Sequence, residues 1–340
     1  MLPGIVCGFF IPNPQSLRKY FMASLICGSI AYDTIMNFEG RFQDQILPDQ
    51  IHILNVAFLV PSMRREFGGC AGNIAYNLKL LRGEPVIMAT VGGDATPYLD
   101  RLKDLQIDTS HIRTLEGAFT AQAMITTDLS NNQITAFHPG AMNESHLNQV
   151  SDVTAARTQK KSAPVTLAIV APDGRAGMWE HCHQLAEAQI PFIFDPGQGL
   201  PMFDGPELLE LTELASYLAV NDYEGEMLSK RTGLTLAQLG ERVKALIVTK
   251  GAEGAQIYAG GKSIAIPPVK AAQLIDPTGC GDAFRGGLLF GLENGMDWET
   301  TGRLASLMGS VKIAHQGPQN HQLSLDQIKD QFKTAFGFGF

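Results

Sequence analysis

Two glycine-bracketed segments carry the residue types for chemistry on an anion. The first is Asp276-Pro-Thr-Gly-Cys-Gly-Asp282, which runs straight into the apolar stretch AFRGGLLFGLE. A turn that opens directly into a helix leaves the first backbone N–H groups without internal partners, and the helix dipole adds partial positive charge there. Gly279 and Gly281 let that backbone come close to a bulky anion. Asp282 then has two readings of equal weight. It caps the helix, or it takes the proton of an alcohol that attacks a phosphoryl group. The second segment is Gly68-Gly69-Cys-Ala-Gly-Asn73-Ile-Ala75. Its paired glycines permit close approach by a ligand, and Asn73 can both give and accept hydrogen bonds. Taken singly, a tight turn before a helix explains it as well.

Two other clusters are lures. His181-Cys182-His183 has metal-binding residue types, but it falls within the predicted helix Gly177–Glu187, where adjacent positions point in different directions. A solvated helix face is the expectation there. Gly260-Gly-Lys-Ser263 resembles the end of a P-loop, yet Gln256 stands where the first glycine belongs. It is expected to be a turn between IYAG and IAIPP. No GxGxxG follows the first strand, so a dinucleotide site lacks its phosphate turn.

The elements that must position the two segments are strands and helices in alternation. Predicted strands are Ser24–Ser29, Val86–Val91, Thr166–Ala171, Phe192–Asp195, Leu218–Asn221 and Ala245–Thr249. Helices are predicted at Asn73–Leu81 and Thr96–Leu105, after Asp297, and from the capping box Ser324–Gln327. Continuous apolar runs alternating with helices mean an α/β fold, with a mainly parallel sheet covered by helices on both faces. Two stretches break the rhythm. One, Thr34–Phe67, contains the β-prone IHILNVAFLV; the other, Ala118–Pro139, reads as a hairpin about LSNN. Together they are expected to form a small β-sheet lid, inserted from about 34–66 and 118–140 into one domain over 22–340.

Composition sets outer limits. The chain has 340 residues, 45% hydrophobic and 18% charged, enough for a sizeable core. Its net charge of −8 argues against a nucleic-acid or anionic-membrane partner, but not against a phosphorylated ligand. Five scattered cysteines suggest no disulfide framework, which fits a reducing, cytoplasmic setting. No apolar run approaches a membrane span. Residues 1–21 lack a signal-peptide pattern and precede Met22 and the first strand; they are expected to be an extension outside the fold.

Taken together, GGCAGNIA and DPTGCGD resemble the two signatures of the ribokinase-like, or PfkB, family of carbohydrate and nucleoside kinases. Cys280 stands where the family usually has Ala. The resemblance runs from about Ser24 to Gln331. It implies the ribokinase-like fold, an ATP-dependent phosphotransferase acting on an alcohol group, and Asp282 as catalytic base beside an anion hole of Gly279, Cys280 and Gly281. It implies that Asp33, just after the first strand, holds sugar hydroxyls together with Gly68, Gly69 and Asn73. Asn221-Asp-Tyr-Glu224 matches a motif that organises water, Mg2+ and phosphate, with Glu224 reaching Mg2+ through water. Thr249-Lys250-Gly251-Ala-Glu-Gly254 matches the segment beside ATP. Asp276 and Thr278 occupy two ligand positions of a monovalent cation such as K+.

Within the family, Arg285, AFHPGAM at 136–142 and GPQNH at 317–321 are similar to the bacterial adenosine kinase branch. Phe137 could stack on a purine or simply pack the lid. The implied reaction is transfer to a purine nucleoside 5′-hydroxyl, with adenosine first. A ribose or fructose kinase and a broader nucleoside kinase for inosine or guanosine are the alternatives. The lid leaves both a monomer and a lid-to-lid homodimer open.

Overall fold

Strands buried on both faces need apolar side chains at every position, and the central strands here have them. In the computed structural model, which describes residues 22–46, 53, 55–130 and 132–340, all five residues of ASLIC (23–27) and all eight of PVIMATVG (85–92) are buried. The extension expected over residues 1–21 lies outside the described residues.

The elements in order are β1 (Ala23–Cys27), β2 (Ala31–Asn37), β3 (Ser62–Gly68), α1 (Cys70–Leu80), β4 (Pro85–Gly92), α2 (Thr96–Asp104), β5 (Ile112–Leu115), β6 (Ala121–Thr127) and β7 (Gln133–His138). There follow α3 (Val150–Gln159), β8 (Val165–Val170), α4 (Arg175–Glu187), β9 (Phe192–Phe194), α5 (Gly205–Leu214), β10 (Tyr217–Asn221), α6 (Asp222–Thr232) and α7 (Leu236–Gly240). The chain continues with β11 (Ala245–Thr249), β12 (Ala255–Ala259), β13 (Lys262–Ile266), α8 (Cys280–Glu293), α9 (Trp298–Ile313) and α10 (Leu325–Phe336).

Nine strands form one sheet in the order β13-β12-β11-β10-β9-β8-β1-β4-β5, parallel except for the β12–β13 hairpin at one edge. Alternate side chains feed two cores. Ile26, Ile169 and Ile247 pack against α1, α8 and α9, whereas Leu25, Val170 and Val248 pack against α3 to α6. Each such side chain, fully buried, contributes roughly 1.5–3 kcal/mol. The segment Gly260-Gly261 is the hairpin turn, both residues at positive φ. Asp297 caps α9 by accepting from the Thr300 N–H, and Ser324 and Gln327 form a capping box on α10.

A second sheet, β3-β2-β6-β7, draws on both insertions. The described residues of the β-prone stretch IHILNVAFLV form none of its strands. Residues 55–60 are irregular, while the preceding Ile51, His52 and Leu54 lie outside the described residues. The strands β2 and β3 flank it instead, at Ala31–Asn37 and Ser62–Gly68. A second correction concerns His181 and Cys182, which are fully buried and not solvated. Cys182 packs in the core, and the His181 ring meets the Asn148 carbonyl at 3.2 Å. Among the described residues no group of three or more His, Cys, Asp or Glu could hold a metal ion. Nor is any helix there long and apolar enough to cross a membrane.

Candidate active site

α8 reaches the middle of the molecule because it has glycines where its neighbours press closest. A Cβ on Gly286 would lie 2.7 Å from the Asn77 Cβ in α1, and one on Gly287 would lie 2.7 Å from the Ala305 Cα in α9. That wedge brings the two glycine-bracketed segments side by side.

Gly279 is the N-cap of α8, in the left-handed region at φ 80°, and no side chain caps the helix. Asp282 occupies the third helical position, so the capping role is excluded. Its Oδ2 accepts instead from the Asn73 side-chain amide at 2.8 Å. Burial pushes the Asp282 carboxyl up to about 6, against the Asn73 bond, and nearby Asp195 adds to the rise. Such a carboxyl is a better proton acceptor than a free one and is still ionised at neutral pH. One expected donor of the anion site is already engaged. The Cys280 N–H closes a turn onto the Pro277 carbonyl at 3.2 Å. The amides of Gly279, Gly281 and Asp282 have no acceptor among the described residues.

Asn73 is held by a relay. Its Oδ1 accepts from Gln319 Nε2 at 2.9 Å, Gln319 Nε2 also meets the Tyr98 hydroxyl at 2.6 Å, and that hydroxyl donates to the Gly68 carbonyl at 2.6 Å. Gln319 and Tyr98 are buried. Gly68 ends β3, and Gly69, at φ 82°, turns the chain into α1 where a Cβ would strike the Ala31 N–H at 2.6 Å.

Asp33, which follows the first strand as expected, lies inside β2 in the small sheet. It pairs with Glu66 on β3 and Ala123 on β6; Ala123 in turn pairs with Phe137 on β7. Side chains directly opposite each other share a face, so Glu66, Asp33, Ala123 and Phe137 form one row. Burial pushes Asp33 up to about 6, and Asp282, Asp276 and Glu66 add to it. Glu66, on the same face, accepts from Asn320 at 2.8 Å, and the nearby Gly317 N–H donates to Asp276 at 2.9 Å, so this face looks toward the loop before α8. Phe137 is 54% exposed.

On the other side of the α8 start is a cleft of about 660 Å3, lined by Thr249, Gly251, Gly254, Val269, Leu274 and Cys280 among others. Gly251 and Gly254 have positive φ, and a Cβ on Gly254 would strike the Ile266 carbonyl. Lys250 does not line this cleft; its backbone N–H donates to the Gly254 carbonyl at 2.8 Å. Asn221 and Glu224 lie outside it too, at the end of β10, where they form a reciprocal capping box on α6. Glu224 Oε2 accepts from the Asn221 N–H at 2.8 Å, which leaves Oε1 without a protein partner among the described residues. Burial draws the Glu224 carboxyl upward.

Sequence reasoning missed the anchor beneath these groups. Arg285, one turn along α8 from Asp282, meets Asp195 through Nε at 3.0 Å and a terminal nitrogen at 2.8 Å. Both side chains are buried. The available signal was Asp195 at the end of an apolar strand, directly before Pro-Gly.

A carboxylate tuned toward neutral pH beside unclaimed helix-start amides is equipment for moving a phosphoryl group onto an alcohol. The profile of the pfkB family carbohydrate kinases matches residues 31–324, and the chain belongs to that family. It is therefore a phosphotransferase with an alcohol acceptor. Over 315 residues it is 33% identical to a nucleoside kinase of Methanocaldococcus jannaschii, covering 92% of this chain and 97% of that protein. The Burkholderia thailandensis nucleoside kinase in complex with inosine is 55% identical, with a TM-score of 0.82 over 93% of this chain and 99% of that one. The same kinase with ADP-inosine is 56% identical, with a TM-score of 0.80 over 93% and 97%.

Proposed function

We propose that this protein transfers the γ-phosphoryl group of ATP to the 5′-hydroxyl of purine nucleosides, inosine alongside adenosine. The observation that carries the reading is the row Asp33–Ala123–Phe137 opposite Asp282. A carboxylate at one end suits ribose hydroxyls, the small Ala123 leaves room, and an aromatic ring lies two strands away. Strands are about 4.8 Å apart, so Asp33 and Phe137 are roughly 10 Å apart, the span of a nucleoside. A free sugar would not reach Phe137. Inosine is included because the 55% identical relative binds it.

In this reading the ribose lies against Asp33, Gly68, Gly69 and Asn73. Asp282 accepts the 5′-hydroxyl proton as the oxygen attacks. A carboxylate suffices because the transition state is loose and the proton moves late. The amides of Gly279, Gly281 and Asp282 stabilise charge on the transferred group. ATP occupies the cleft at Thr249, Gly251 and Gly254, with Asn221 and Glu224 on the phosphate side. Mg2+ commonly keeps its waters and binds through one or two carboxylates plus substrate phosphates. The residues fit that mode: no protein cage is present among the described residues, and Glu224 Oε1 is free to hold a metal-bound water. When bound, Mg2+ would neutralise phosphate charge.

The test is ADP release with Mg-ATP and a panel of inosine, adenosine, guanosine, ribose and fructose. The reading expects kcat/KM for at least one purine nucleoside to exceed that for either sugar by on the order of 10²-fold or more. A sugar preferred over every nucleoside would overturn it.

A further inference from the structure

Lys312 lies in the last turn of α9 with its side chain completely enclosed. A charge without partners in the interior costs several kcal/mol, so a buried lysine must find acceptors. This one does so at the loop that precedes α8. Its Nζ donates to the Asp276 carbonyl at 2.6 Å and to the His315 carbonyl at 3.2 Å. Asp276 Oδ1 lies 3.9 Å away.

Each oxygen of the Asp276 carboxylate has a backbone amide partner. Oδ1 accepts from the Thr278 N–H and Oδ2 from the Gly317 N–H, both at 2.9 Å. Burial works to raise this carboxyl, yet the two amide bonds and the Lys312 charge hold it below its ordinary value. Burial likewise draws the Lys312 ammonium below its ordinary value, and Asp276 is the first of the groups that oppose this.

A monovalent metal ion would need the same kind of oxygens. K+ is held where backbone carbonyls replace its water shell. A lysine ammonium is likewise a compact single positive charge that seeks oxygen acceptors. Here the Asp276 carbonyl, the Asp276 carboxylate and the carbonyl that follows α9 already surround Nζ. The residues therefore do not fit a separate K+ site at Asp276 and Thr278. We infer that Lys312 supplies the cation of this loop from within the chain, so that the anion site works without a monovalent metal ion.

The test begins with the native protein and needs no knowledge of the acceptor. Its melting curve is compared in choline chloride, NaCl and KCl at equal ionic strength. An ion that binds the folded state raises the melting temperature by mass action. The three curves are expected to coincide; a rise specific to KCl of more than about 2 °C would overturn the inference. Kinase assays in the same salts should agree within about twofold, and K+ activation beyond about fivefold would also overturn it.

Two variants then remove the ammonium. Lys312→Ala leaves an opening lined by carbonyl oxygens, whereas Lys312→Met fills it. Both are expected to lower kcat/KM for ATP by about tenfold or more, with K+ or NH4+ restoring Lys312→Ala and not Lys312→Met. A folded Lys312→Ala protein with native turnover would count against the inference, and so would a loss that no cation relieves. If neither variant folds, the salt series on the native protein decides.

Discussion

The side-chain amide of Asn73, in the first turn of α1, donates to the carboxylate of Asp282, in the first turn of α8, at 2.8 Å. The bond occupies one oxygen of the carboxylate and fixes its plane. Asp282→Asn should therefore keep the fold and the binding of ATP and nucleoside while kcat falls by on the order of 10² to 10⁴. Turnover on a purified variant checks this. Near-native turnover would remove Asp282 from the chemistry.

Stability should move the other way. The folded carboxyl titrates near 6, against an ordinary value of 3.8, so between those values the folded state binds the extra proton. Stability is then lost as pH rises through the folded value, and the penalty is fully present at pH 8. Asp282→Asn should melt higher than the native protein at pH 8 and equally at pH 4. An equal gain at both would assign the effect to something other than this charge.

Activity should show the same group with the opposite sign. A base must be ionised, so kcat/KM should fall as pH drops through about 6, and the limb should be shallower by one proton in the slow Asp282→Asn variant. Asp33 is also pushed up to about 6, so a limb steeper than one proton is expected in the native enzyme.

Phe137→Ala should separate base from sugar. Stacking a base on an aromatic ring is worth about 1–3 kcal/mol, so kcat/KM for inosine should fall by roughly 5- to 150-fold. The residue is 54% exposed, so the melting temperature should not change. Unchanged kinetics with every nucleoside would reduce Phe137 to lid packing.

Asp195→Ala leaves the Arg285 guanidinium buried and unpaired. Loss of one partner of such a pair typically costs about 3–5 kcal/mol. Chemical denaturation should show the loss, whereas Cys280→Ala should be nearly silent. The Cys280 thiol is pushed by burial up to about 11 and makes only a long contact, 3.9 Å, to the Asp276 carbonyl, while its backbone N–H closes the turn. A Cys280→Ala effect on turnover beyond about tenfold would mean that the thiol takes part.

Legibility in the sequence followed the range of the interactions. The sheet strands could be read because burial on both faces demands unbroken apolar runs, as in Ala245–Thr249. The caps of α9 and α10 could be read because each is settled within four residues. Glycine spacing marked Gly279 and Gly281. What could not be read was set by distant partners. Asp33 belongs to the small sheet only because β2 pairs with β6, about which its own neighbours say nothing. Lys312 looked like an ordinary residue, because its partner Asp276 lies far away along the chain and leaves no local pattern. His181 looked solvated since its weak amphipathic context hid a face covered from both sides.

The relay behind Asn73 also has a consequence for the order in which a ribosome delivers this chain. Every strand of the large sheet has been made by Ile266, and Asp282 emerges soon after. Yet Lys312, Gly317 and Gln319, which seat the Asp276 loop and orient Asn73, come still later. A nascent chain can therefore assemble its sheet, as N-terminal parts tend to fold first, while the catalytic carboxylate is still unaligned. Phosphoryl-transfer competence would wait for residues 312–319, well after the last sheet strand, and a nascent chain short of them would not squander ATP.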